Sequence, residues 1–162
     1  MATKSSFTPE EWDQLRRAPV QAGLVVVAAS PSGPIGVIQE MFALGKLIAE
    51  AKGEAGANEL VKTLVADLTE GGRPPEPTEA RGMSPDKIEA WALDGLRSVG
   101  ALVAKKAPGA EADGFKRWLV TISQRVAEAA KEGGFLGFGG TQVSESESAA
   151  LKKTAEALGV PV

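Results

Sequence analysis

The chain has 162 residues, 18 basic and 21 acidic side chains for a formal net charge of −3, and no histidine, cysteine or tyrosine. That length suits one ordinary domain or two small helical units sharing a core, and an apolar fraction of 43% is enough to build one. The acidic balance argues against nucleic acid as the main partner. The missing side chains exclude a disulfide framework, and with it go the groups that most often move protons near neutral pH, attack as thiolates or hold transition metals.

In chain order, residues 1–7 read as a polar, mobile tail. Thr8-Pro9-Glu10-Glu11 is a helix start: Thr8 caps, Pro9 suits the first helical position, and Glu11 completes a capping box. This first helix carries Trp12 and Leu15 and is expected to end or kink at Pro19. The run 20–29 is apolar on every side. Its Leu24-Val25-Val26-Val27 core could form a buried strand, but nothing else in the chain offers a strand partner, so a central buried helix is expected. The run is about half of the roughly 20 residues a membrane span needs. Arg16-Arg17 before it and Ala28-Ala29-Ser30 after it have the outline of a secretion signal. However, Glu10, Glu11 and Asp13 put acid where such a signal needs positive charge, so a cytoplasmic location is expected.

Ser30-Pro31-Ser32-Gly33-Pro34 breaks the chain and opens a helix with Ile35, Ile38, Met41, Phe42, Gly45 and Ile48 at helical spacing as far as Lys52. Leu60, Val61, Leu64, Val65 and Leu68 make the stripe of the next helix, closed by Gly71-Gly72. Residues 73–83, with Pro74, Pro75 and Pro77, read as an exposed linker of extended character. Ser84-Pro85-Asp86 opens a helix with Ile88, Trp91 or Ala92, Leu96, Val99, Leu102 and Val103 inward, ended by Pro108-Gly109. Asp113 then caps a helix bearing Phe115, Trp118, Leu119, Ile122 and Val126. Ser144 with Glu147 forms a capping box for a last helix, with Leu151, Thr154, Ala155 and Leu158 inward and Gly159 and Pro161 at its end.

The two halves look alike. Residues 36–51 align without interruption on 114–129, with Leu44 on Ile122, Ile48 on Val126 and Ala49-Glu50-Ala51 on Ala127-Glu128-Ala129. The second half carries an insertion between its last two helices, and that insertion is Gly133-Gly134-Phe135-Leu136-Gly137-Phe138-Gly139-Gly140. The expected fold is therefore all-α, a compact bundle of about six or seven helices built from two similar three-helix halves. The halves are 8–72 and 84–162, joined by the linker within one helical domain, 8–162.

Ser32-Gly33-Pro34-Ile35-Gly36 with Gln39, then Gln142-Val143-Ser144-Glu145-Ser146-Glu147, together with the closing run from Ala149 to Gly159, give a pattern of helix, short turn and helix. The pattern resembles the tellurite-resistance TerB-like helical family. Ser32 stands where that family's turn has Asp, so no cation role is carried over. The resemblance implies an all-α bundle, no enzyme activity and a stress-linked role near the membrane surface.

The glycines of 133–140 could cradle a phosphate, but no Lys-Ser/Thr follows, no strand precedes, and Phe135, Leu136 and Phe138 are the wrong lining. Two readings remain for these three side chains. They fold back over the bundle, or they are contacts for a protein partner or membrane surface, each worth on the order of 2 kcal/mol if fully buried. The carboxylate groups Glu10-Glu11-Asp13 and Glu145/Glu147 sit at helix starts, where acids favour the dipole, so no catalytic pair is assigned. Trp12, Trp91 and Trp118 read as core anchors, and Arg16-Arg17, Lys105-Lys106 and Lys152-Lys153 as solvated ends. The function expected is a non-enzymatic helical interaction module, stress-related by the resemblance, with no catalytic, cofactor or metal residues. It binds a protein partner or a membrane surface through Phe135, Leu136 and Phe138, not nucleic acid, and a homodimer stays open. The alternative is a carrier of an apolar small molecule or lipid between the two halves; a carboxylate-dependent enzyme ranks third.

Overall fold

The computed structural model describes residues 1–29, 45–46, 48, 50, 58–70, 78–132 and 145–161. Among them it forms five α-helices and no strand: α1 (Pro9–Ala29), α2 (Glu59–Glu70), α3 (Pro85–Lys106), α4 (Gly109–Glu132) and α5 (Glu145–Leu158). The all-α expectation holds. Gly45, Lys46, Ile48 and Glu50 are helical too, with Ile48 buried, in keeping with the helix expected to run to Lys52. The rest of that element lies outside the described residues, as do most of the aligned stretch 36–51 and the turn at Ser32–Gln39.

Part of the lower helix count reflects the helix expected to run to Lys52, described only at residues 45, 46, 48 and 50, and part has a physical origin. The two helices expected on either side of Pro19 are one, and Pro19 lies inside α1. Proline deletes one backbone hydrogen bond and crowds the preceding turn, at a cost of about 3 kcal/mol. Here every residue from Ala18 to Val27 is buried, and that burial outweighs a local breaker. Thr8 opens α1 as expected: the Glu11 N–H donates to Thr8 Oγ1 at 3.2 Å and the Thr8 N–H donates to Glu11 Oε2 at 2.8 Å.

α1 is the axis of the bundle. It packs against α2, α3, α4 and α5, which explains why its second half is apolar all round and has no polar stripe. α5 lies across α3 and α4, while α2 sits on α4 and α1. The expected stripe of α2 is its buried face residue for residue: Leu60, Val61, Leu64, Val65 and Leu68. On α3 the choice between Trp91 and Ala92 falls to Ala92, with Leu93, Leu96, Val99, Gly100 and Val103, and Trp91 packs only partly against the core. Phe115, Leu119, Ile122 and Val126 of α4 join the same apolar cluster, as do Ala150 and Leu158 of α5.

Three boundaries differ from expectation. α4 begins at Gly109, one turn before Asp113, because the Pro108 carbonyl accepts the Glu111 and Ala112 N–H groups at 2.9 Å. Residues 78–83 are not extended: Thr78–Ala80 is a 3-10 turn whose Glu79 pairs with Arg17 at 2.8 Å. Residues 1–7 are no free tail, since Lys4–Ser6 is a 3-10 turn and Ala2 and Phe7 are 2% and 7% exposed. The far end of the bundle follows expectation. Gly159 takes φ +68°, its N–H donates to Glu156 O at 3.1 Å, and Val160 N–H donates to Ala155 O at 2.9 Å. This paired closure is the Schellman arrangement, and it needs a left-handed residue at position 159.

Candidate functional site

Phe135, Leu136 and Phe138 lie outside the described residues. The helices that bracket them in the chain are described: α4 ends at Glu132, with Val126 and Ala127 fully buried, and α5 begins at Glu145, with Ala150, Ala155 and Leu158 buried. Both flanking helices rest on α1 and on each other.

Two of the three carboxylates at the start of α1, Glu11 and Asp13, have partners. Glu11 is paired with Lys106 of α3 and accepts the Thr8 N–H. The Lys106 hydrogen bond, then that N–H, hold its carboxyl below the usual range despite some desolvation, with the charges of Lys106 and Lys105 adding to the effect. Asp13 pairs with Arg16 at 3.5 Å. Held in its charged form by Lys106 and the Thr8 N–H, Glu11 is a poor proton carrier near neutral pH. Among the described residues no group of three or more acidic side chains is arranged to hold a metal ion.

Sequence patterning missed Asp67 and Asn58. Asp67 reads as one more polar residue of α2, yet it accepts from Lys4 Nζ at 2.6 Å and from the Trp12 indole N–H at 3.2 Å, with Arg16 Nε also 3.2 Å away. Burial alone would raise its carboxyl, but the Lys4 and Trp12 hydrogen bonds and the charges of Lys4 and Arg16 outweigh that and leave it lowered. The buried Trp12 ring gave the one signal available in the sequence, because an indole N–H inside a fold needs an acceptor. Arg16 and Lys106, expected as solvated ends, are therefore parts of ion pairs that cross helices.

Asn58 joins α2 to α4. Its Oδ1 accepts the Val61 N–H at 3.1 Å, capping α2, while its Nδ2 donates to the Glu111 carbonyl at 2.9 Å. Beside this joint lies a groove of about 590 Å³, lined by Met1, Val61, Glu111, Gly114, Trp118 and neighbours from α2 and α4. The Trp118 indole N–H is buried with no acceptor among the described residues. Grooves of similar size flank Phe7 and Trp12, and Asp113 and Gly159, so size does not single this one out.

No helix among the described residues is long and apolar enough to cross a membrane. No family model matches the chain, and neither a curated protein nor a solved structure matches it.

Proposed function

We propose that this chain is a non-enzymatic helical interaction module of the cytoplasm that holds segment 133–140 against a protein partner or a membrane surface, with Phe135, Leu136 and Phe138 as the contact. The observation that carries the reading is where the segment is tied. Glycines flank the phenylalanines in a stretch that lies in the chain between helices α4 and α5, both packed on α1. A fixed base on each side lowers the ordering cost of binding. The resemblance to the TerB-like helical family adds a stress-linked role to the proposal, and similarity of the two halves belongs to it as well.

The test is Phe135→Ser with Phe138→Ser. The double variant is expected to lose association with a captured partner or with phospholipid vesicles while its far-UV CD spectrum and melting midpoint stay close to those of the unaltered protein. A large fall in the midpoint instead would place the two rings in the core and end the reading. Vesicles and pull-down, run side by side, separate membrane from protein.

The carrier reading keeps one supporting observation: the groove between α2 and α4 lies between helices of the two halves, with Val61 and Trp118 in its lining. Native mass spectrometry of purified protein is expected to show a bound lipid or other apolar mass if it holds, and a bare chain mass removes it.

A further inference from the structure

Seven residues at the start of the chain touch four helices. The Ala2 N–H donates to Glu111 Oε2 of α4 at 2.7 Å. Lys4 Nζ donates to Asp67 of α2 at 2.6 Å. The Ser6 carbonyl accepts from Lys106 Nζ of α3 at 3.3 Å. The Phe7 ring lies 5.9 Å from the Trp12 ring of α1, centroid to centroid. Only Ala2 and Phe7 of this segment are buried. Between them the segment holds itself in a turn, with the Ser6 N–H on the Thr3 carbonyl at 2.8 Å and the Thr3 N–H on Ser6 Oγ at 3.1 Å. Met1 and Glu111 both line the groove between α2 and α4.

We propose that residues 1–7 are a charge-latched strap that closes one end of the α2/α4 groove and opens as a unit, ahead of the bundle, when its carboxylate partners are neutralised. The segment is anchored by few apolar contacts and by charged ones on three helices, which is the profile of a low-stability unit. Lys4 is its one charged side chain. The charged groups on or beside its ties are Glu11, Asp13 and Arg16 on α1, Asp67 on α2, Lys106 on α3 and Glu111 on α4, with the charge of Lys105 acting on Glu11. Protonating Asp67 removes the acceptor charge from the Lys4 tie. Protonating Glu11 frees Lys106, which also holds the Ser6 carbonyl. The strap is therefore closed above the ordinary carboxylate range and opens as pH falls through the lowered values of Asp67 and Glu11.

The experiment is amide hydrogen exchange by NMR on the full chain, unaltered and with Asp67→Asn plus Glu111→Gln. In the unaltered protein at neutral pH the amides of Ala2, Ser6 and Phe7 are expected to be protected, but less than those of Leu15, Leu64 and Leu119. The double variant is expected to lose about tenfold or more of the strap's protection, while those three core amides, which exchange through global opening, lose no more than that and stay the better protected. The Trp118 indole resonance is expected to shift with the strap, because the groove opens at that end. The proposal is overturned by unprotected strap amides in the unaltered protein, by strap amides as well protected as the three core amides, by unchanged strap protection in the variant, or by a Trp118 resonance that stays in place.

Discussion

Asn58 and Gly114 are fitted to each other: a Cβ added at position 114 would stand 2.6 Å from Asn58 Nδ2. The amide cannot swing away freely, because it is held at both ends, by the Val61 N–H and by the Glu111 carbonyl. Gly114→Ala is therefore expected to destabilise the protein by about 1–2 kcal/mol, even though alanine is the better helix former. Asn58→Ala alone loses the cap, at about 1 kcal/mol. In that background Gly114→Ala is expected to turn neutral or stabilising. A double-mutant cycle by urea unfolding measures the change of sign, and additive effects would show the contact does not exist.

Ser123 sits fully buried on α4 and donates its hydroxyl to the Ala22 carbonyl of α1 at 2.8 Å. Ala22 and Gly23, both small and buried, let the two helices meet closely enough for that bond. Ser123→Ala is expected to cost about 1 kcal/mol. Ser98→Ala, whose exposed hydroxyl bonds only to its own helix at Asp94, is expected to change stability by less than about 0.5 kcal/mol. Thermal melts of the two variants check the contrast.

Gly159 ends α5 at φ +68°. Gly159→Ala is expected to cost about 1–2 kcal/mol, the penalty of a Cβ in the left-handed region. Gly159→Asn is expected to cost less, because asparagine tolerates that conformation. If both variants melt with the unaltered protein, the paired closure at Glu156 and Ala155 does not form in solution.

Asp67 gives the stability a defined pH dependence. Its carboxyl is lower in the fold than in the unfolded chain, so its contribution is complete above the unfolded value and is lost as pH falls through the folded one. The melting midpoint of Asp67→Asn is expected to lie below that of the unaltered protein at pH 7, and the two are expected to converge in acid. Midpoints measured across the acid range test the sign, since a difference that grows as pH falls contradicts it.

What the sequence shows and what it hides divide along distance. Leu60, Val61, Leu64, Val65 and Leu68 could be placed because a helix repeats its apolar residues every three or four positions. Thr8 and Glu11 could be paired because a capping box spans one turn. Pro19 misled for the same reason: a rule about one residue and its turn knows nothing of four helices closing around it. Lys4 and Asp67, or Ala2 and Glu111, meet across most of the fold, and no periodicity announces such a meeting. Phe135, Leu136 and Phe138 stand out by composition alone, among glycines and outside any helical repeat.

The all-round burial of α1 has a consequence for how the protein is made. Residues 18–27, the greasiest stretch, leave the ribosome before α3, α4 and α5, which wrap them. Until those partners arrive much of this stretch lacks the helices that cover it, and unshielded apolar surface is what nascent chains aggregate through. Cells making this protein at speed are expected to lean on a chaperone at that interval, and slowing translation beyond residue 30 is expected to lower the soluble yield.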